Sequence, residues 1–483
     1  MKKLLLLLCL ACFWQAGWLF AEGHNIKINV PKMANKQVIL AFYRDKQVLA
    51  ADTARLDANG NGAFQNPQKL AHGLYILYFS PSNIFDLIIG NNQNFSIKTD
   101  TADIINHIRF EGSPENTAFL DFQKFMISHN QKMRKIHQEI EQDPDKDKNR
   151  QKHSELIRKT GQEAESYVME MISKFQGTAL STFLSAMKTP EIPDFSKEVP
   201  ENTKDRELEI RRKGYFYRKA HYWDYINFQD STLIRTPTQV FKGKLDEFFT
   251  DMVLPHPDSI LQESVNIIEK SRGCKPMFNY VTGYCFQSIA GKADSIMGMD
   301  AAYVKFSKRY VLSGDIDWLD QKSLEKVREN VARLENNLLG ETAHEMKLPT
   351  LEGTWVSLHE TKAPFTFLVF WEENCGHCKK QVPEIKTKLL DKFKPYGLKV
   401  FAVHTQPHKE KWEQFVTEHE LFDFINCWDP YGQANIRKYY NVVSTPALYL
   451  LDKDKKIIAK SISIDQMAEI LKAEYKKTGI EIK

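Results

Sequence analysis

Apolar and polar positions alternate with period two where the first ordered block begins: Ile26, Ile28 and Val30 are separated by Lys27 and Asn29, and Phe95 and Ile97 repeat the spacing. That is the pattern of strands with one buried face. Between them lie the apolar runs QVILAFY (37–43) and LYILYF (74–79), punctuated by NGNG (59–62) and HG (72–73). Short strands at this spacing predict a small antiparallel β-sandwich over residues 24–111. The hexapeptide DANGNG (57–62) copies the first half of a calcium loop, but its twelfth position is Gln68 instead of a glutamate, so a plain hairpin turn is the better reading.

From residue 112 to 339 the period becomes helical. Ser113 stands as a cap with Glu115 close behind, ahead of Phe119, Leu120, Phe122, Phe125 and Met126, the order expected at a helix start. The charged turn DPDKDK (143–148) separates two further helical stretches, as in a helical hairpin. A linker-like stretch at 189–205 follows. RRKGYFYRKAHYWDYINF (211–228) is basic and aromatic, a composition that can stack on nucleic-acid bases. The whole chain is near neutral, with 66 Lys and Arg against 62 Asp and Glu, so the expectation is an aromatic-rich helix packed in a core, its basic stems lying over the rings, and no nucleic-acid partner. Cys274 and Cys285 on one helix would stand about 16 Å apart, too far to bridge, which leaves buried free thiols as the default.

From residue 340 onward strands and helices alternate. FTFLVFWEE (365–373) reads as a buried strand, CGHCKKQVPEIKTKLLDKF starts a helix, and LKVFAVHT (398–405) and FINCWD (424–429) are strands with a helix between them. ALYLLD and KIIAKSIS then form a strand pair before the last helix, DQMAEILKAEYKKTG. This α/β order predicts a mixed sheet with helices on both faces.

The compartment decides what a thiol can mean. The chain opens with Lys2 and Lys3, an apolar run from Leu4 to Phe20 interrupted by Gln15 and Gly17, and small residues at Ala21 and Gly23. That is a secretory signal peptide, residues 1–23, cleaved near its end. Anchoring as a lipoprotein through Cys12 is the weaker reading, because Cys9 sits where a leucine is expected. No later segment reaches about 18 apolar residues, so no transmembrane segment is expected after cleavage. With 483 residues, 42% of them hydrophobic, the chain can bury several cores in two or three domains. Five cysteines follow the leader, Cys274, Cys285, Cys375, Cys378 and Cys427. An odd, sparse set is not a disulfide framework.

WEENCGHCKKQVPE (371–384) carries the candidate chemistry. Cys375 starts a helix directly after a strand, where free backbone N–H groups and the helix dipole favour a thiolate. Cys378, one turn in, faces the fold. Cys375 is therefore the expected attacking thiolate and Cys378 the resolving one. His377 between them can lower the pKa of Cys375.

The residues FW (370–371), CGHC (375–378), Pro383 and TP (445–446) followed by ALYLLD resemble a thioredoxin-fold domain over 340–483, close to the TlpA/ResA-type periplasmic thiol-disulfide oxidoreductases. MKLPTLEGTWVSLHE (346–360) resembles the N-terminal hairpin preceding that domain in the TlpA and peroxiredoxin branch. The resemblance implies a cis peptide at Thr445–Pro446 and, with Trp371, a surface that binds an extended partner chain. It implies protein thiol and disulfide substrates, an unidentified redox partner, no cofactor, and a place in the periplasm or cell envelope. Thioredoxins proper have a tryptophan before the first cysteine and a buried aspartate five residues earlier, where this chain has Asn374 and Val369. Glu372, Glu373 or Glu384 is the candidate replacement proton acceptor. Gln381 stands where TlpA-type chains often have a glutamate, and CGHC is the motif of the more oxidising protein disulfide isomerases. The three-block order also resembles exported proteins of anaerobic Gram-negative bacteria whose first two blocks are domains of unknown function.

Two other readings use the same residues. A copper- or zinc-handling site could draw on the two thiolates with His404 and His408, although no metal is expected on spacing alone. A non-catalytic thioredoxin-fold scaffold would keep only the binding surface. His404 and Trp412 are candidates for the site's rim, against the default of a surface histidine and a packing tryptophan. Cys427 reads as a buried strand residue.

Overall fold

A computed structural model describes residues 23–44, 47–237, 240–293 and 296–482. Residues 1–22, where the expected leader and Cys12 fall, lie outside them. An N-terminal β-rich region, a helical middle region and a C-terminal thioredoxin fold follow in order. By contact the chain groups into two compact units, residues up to Met252 with 270–277, and residues 253–269 with 278–483.

Among the described residues of the first unit, eight strands form two four-stranded sheets: β1 (His24–Asn29), β2 (Gln37–Arg44), β3 (Gln47–Arg55), β4 (Asn61–Asn66), β5 (Gly73–Ser80), β6 (Asn83–Ile89), β7 (Asn94–Lys98) and β8 (Arg109–Glu111). The sheet orders are β4-β1-β7-β8 and β3-β2-β5-β6. Pairing is antiparallel except between β1 and β7, which run parallel. The alternating residues Ile26, Ile28, Phe95 and Ile97 share a core with Val38, Leu40, Leu77 and Leu87 of the other sheet. DANGNG is a turn: the Asp57 carboxylate accepts from the backbone N–H groups of Asn59 and Asn61, each 2.8 Å, and Gly60 supplies a positive φ of 79°.

Ser113 caps the helix Pro114–Gln142. The side-chain amide of Asn116 pins this helix to β6 through the N–H and C=O of Ile88, both at 2.8 Å. Phe119 and Phe122 bury against Leu74 and Ile88 on the outer face of the second sheet, each such side chain stabilising by roughly 1.5–3 kcal/mol. The basic aromatic stretch departs from expectation. The helix Arg206–His221 buries Gly214 alone, and Phe216 is 55% exposed. Tyr215, Phe216 and Tyr217 are consecutive, so they spread around the helix and cannot all face one core. Tyr222, Ile226 and Phe228, past its end, are the buried members. Basic groups do lie over rings, with Arg212 5.7 Å from the centre of Phe216.

In the second unit, β9 (Lys347–Pro349) and β10 (Trp355–Ser357) pair as a hairpin. A five-stranded sheet follows, from β11 (Thr366–Trp371), β12 (Lys399–His404), β13 (Ile425–Trp428), β14 (Ala447–Leu451) and β15 (Ile457–Lys460). Its order is β13-β12-β11-β14-β15, with β11, β12 and β13 parallel and β14 and β15 antiparallel. All six residues of β11 are buried because both faces are covered. Phe367, Val369 and Trp371 meet residues of the helices Gly376–Ile385, Lys409–Glu418 and Ile464–Lys477 on one side. Leu368 and Phe370 meet Leu348 of the hairpin and Tyr440 on the other. Cys274 and Cys285 are both free thiols, and Cys274 precedes the helix Lys275–Ala290 that carries Cys285.

Candidate active site

The central strand β11 runs into the site. Four residues after its end at Trp371, Cys375 caps the helix Gly376–Ile385, its Sγ accepting from the backbone N–H of Cys378 at 3.4 Å. In its thiol form Cys375 donates to the carbonyl of Thr445 at 3.1 Å, and the Thr445–Pro446 peptide is cis. Cys375, Thr445 and Pro446 are half-buried, whereas Cys378 is fully buried.

The two sulfurs have opposite electrostatics. Partial burial of Cys375 opposes ionisation, but the backbone N–H of Cys378, the side chains of Cys378 and Thr445, and the backbone of His377 outweigh it. The net effect holds Cys375 below the ordinary cysteine value. Burial dominates at Cys378 and pushes its thiol up to about 12. His377 acts here through its backbone, while its side chain is exposed.

The three candidate acids separate. Glu372 accepts from the Thr445 hydroxyl at 2.9 Å and from the Gln406 amide at 2.6 Å, and its backbone supports the sulfur of Cys378. Glu373 turns the other way and is buried, with its carboxylate 2.7 Å from Nε2 of His404 and 3.0 Å from Nδ1 of His408. Glu384 faces Lys388 at 3.4 Å. Of the three, Glu372 is the carboxylate brought to the cysteines, through Thr445.

The expected partner-binding role of Trp371 and the surface placement of His404 both fail. Trp371 is fully buried, 4.7 Å from the ring of Phe415 and 5.0 Å from His404, so it floors the site and cannot touch a partner chain. His404 is also fully buried instead of on the surface, stacked 5.8 Å from Trp412. Burial pushes the pKa of His404 down despite the adjacent Glu373. Burial opposes the ionised form of Glu373, but its own backbone N–H and then His404 and His408 hold it below the usual carboxylate range. The pair is thus a carboxylate and a neutral imidazole that donates through Nε2. Trp412 packs in the core, and Cys427 is a buried strand thiol pushed up to about 12. Among the described residues no group of three or more His, Cys, Asp or Glu side chains could hold a metal ion, and His404 and His408 both address Glu373.

Gln406 is the site residue that sequence reasoning missed. It follows β12, the parallel neighbour of β11, and loops at the carboxyl ends of parallel strands collect functional groups. That rule was the available signal.

The AhpC/TSA family profile matches residues 339–460, and two domains of unknown function, DUF5106 and DUF4369, match residues 142–337 and 24–119. Thiol-disulfide oxidoreductase ResA of Bacillus thuringiensis subsp. konkukian is 31% identical over 139 residues, 29% of this chain and 78% of that protein. The ResA protein of Bacillus anthracis is 30% identical over the same length and shares. Among solved structures, a thioredoxin-like protein from Bacteroides caccae aligns over 59% of this chain and 98% of its own, with 18% identity and a TM-score of 0.44. A thiol:disulfide interchange protein from a Bacteroides species aligns over 29% and 90%, with 23% identity and a TM-score of 0.27. Through the thioredoxin-like AhpC/TSA domain at its C-terminus, the chain belongs to the family of ResA-type thiol-disulfide oxidoreductases.

Proposed function

We propose that this protein exchanges disulfides with other proteins of the cell envelope through Cys375 and Cys378. The observation that carries the reading is the asymmetry of the pair: a half-buried sulfur capping a helix and held below the ordinary cysteine pKa, beside a fully buried one raised to about 12. In the reducing direction the Cys375 thiolate attacks a partner disulfide. A Cys375–partner S–S bond forms, the partner's bond breaks, and one partner thiolate leaves. The Cys378 thiol then loses its proton and attacks Sγ of Cys375. The 375–378 disulfide forms, and the partner's second sulfur leaves as a thiolate. The oxidising direction is the same sequence reversed.

Thr445 and Glu372 supply the exit for the Cys378 proton. The Thr445 side chain favours the thiolate form of both cysteines, and its hydroxyl donates to Glu372 at 2.9 Å, so the hydroxyl takes the Cys378 proton while its own proton passes to the carboxylate. This replaces the buried aspartate of thioredoxins, whose place Val369 occupies. Thr445–Pro446 faces the incoming chain, and His377 lends its backbone to the thiolate. The leader, with its lysines and apolar run, supports export to the periplasm or envelope. The test is a pair of variants. Cys375→Ser abolishes exchange, and Cys378→Ser accumulates a mixed disulfide with an envelope protein, seen on a non-reducing gel. Exchange by Cys375→Ser, or a Cys378→Ser protein that forms no mixed disulfide with any protein disulfide, contradicts the proposal.

A further inference from the structure

Lys460, the last residue of β15, carries its charge inside the second unit. Its side chain is buried, and Nζ reaches the backbone carbonyl and side-chain Oδ1 of Asn337, each at 2.5 Å, and the carboxylate of Asp300, also buried. Asp300 lies in the helix Met299–Phe306, and Asn337 ends the turn that follows the helix Gln321–Leu334. These partners lie upstream of the thioredoxin-like domain but in the same compact unit. A lysine withdrawn from water must be paired and hydrogen-bonded, so the contact fixes the helical segment against the edge of the sheet.

Beside this clamp is a cavity of about 650 Å³, within the roughly 300–1,000 Å³ typical of ligand sites. Met297, Gly298 and Leu334 line it from the helical segment, Gln381 from the active-site helix, and Ser444 and Pro446 from the loop that faces Cys375. Its position and its lining indicate what it holds. It reaches Pro446, whose neighbour Thr445 has its carbonyl 3.1 Å from the reacting sulfur. An extended chain advances about 3.3 Å per residue, so the cavity starts within a residue or two of an exchanging cysteine. Its lining is largely uncharged and hydrogen-bonding, with Asn441, Ser444, Gln381 and Gln466, and its charged members Lys460 and Asp300 neutralise each other.

We infer that residues 296–337 form one wall of the partner-binding groove, and that this cavity takes the uncharged polar residues flanking the cysteine of an extended partner polypeptide. The inference rests on the proposed exchange reaction and gives the helical segment a role in selecting its substrate.

The test compares two disulfide probes on the full chain: the disulfide of a single blocked cysteine, and that of a peptide with several serines and asparagines on both sides of its cysteine. Wild type is expected to reduce the peptide about tenfold faster, a difference of one decade in transition-state binding. Leu334→Trp, which fills the cavity from the helical wall, removes that preference while leaving the rate on the blocked cysteine unchanged. Leu334→Ala, a milder change, lowers the preference in the same direction and stands in if the tryptophan variant does not fold. A wild-type chain that reduces both probes at equal rates overturns the groove and leaves the exchange reaction standing. A peptide preference that survives both Leu334 variants also overturns it. Failure of wild type to reduce either probe overturns the exchange reaction itself.

Discussion

At the scale of single residues, adjacent side chains divide the labour. Glu372 and Glu373 follow β11 with no residue between them, yet one accepts from Thr445 and the other from His404 and His408. Glu372→Gln keeps an acceptor for the Thr445 hydroxyl and removes the base. Resolution of the mixed disulfide should then slow about a hundredfold, within the range of general base catalysis, while alkylation of Cys375 is unaffected. Stopped-flow decay of a preformed mixed disulfide measures this, and an unchanged rate would mean that the proton leaves by another route. The contrast between an exposed-side Cys375 at the helix start and a buried Cys378 was legible because a helix start after a strand has a fixed electrostatic sense. The choice among the three glutamates was not, since it depends on which way each turns out of an extended segment. His404 was misread as a surface residue because its partner, Glu373, is remote in sequence and becomes a neighbour only when β12 pairs with β11.

Elements recognised by local pattern were read well, and those placed by distant contacts were not. The unbroken apolar run of β11 and the strand pair β14–β15 were legible from apolar runs, and the hairpin β9–β10 from its resemblance to the TlpA and peroxiredoxin branch. The helix Arg206–His221 was not, because its aromatic content resembles a core while its spacing spreads the rings around the axis. The attachment of the helix Met299–Phe306 to β15 left no trace in sequence, since Asp300 and Lys460 meet from distant parts of the chain. Asp300→Ala leaves Lys460 buried with only Asn337 as partner and should cost about 3 kcal/mol, the lower end for breaking a buried pair. A shift in the denaturation midpoint measures it. A loss under about 0.5 kcal/mol would mean that the pair behaves as a solvent-exposed one.

Across the whole molecule, the order of sandwich, helices and α/β block could be read from changes of apolar period, because each block keeps one period over many residues. How the helical region divides between the two compact units could not, because contacts such as Asp300 to Lys460 set it. At the chemical centre of the second unit, Cys375 ionises readily while Cys378 stays protonated. The direct measurement is the rate of alkylation of each cysteine in the reduced full-length protein as a function of pH, read by mass spectrometry. Since only the thiolate reacts, a lowered pKa moves the rise in rate to lower pH. Cys375 should react below the ordinary value of 9.0, and Cys378 should resist until the pH approaches about 12. Alkylation of Cys375 only at the pH of a free cysteine, or of Cys378 before Cys375, would contradict the account.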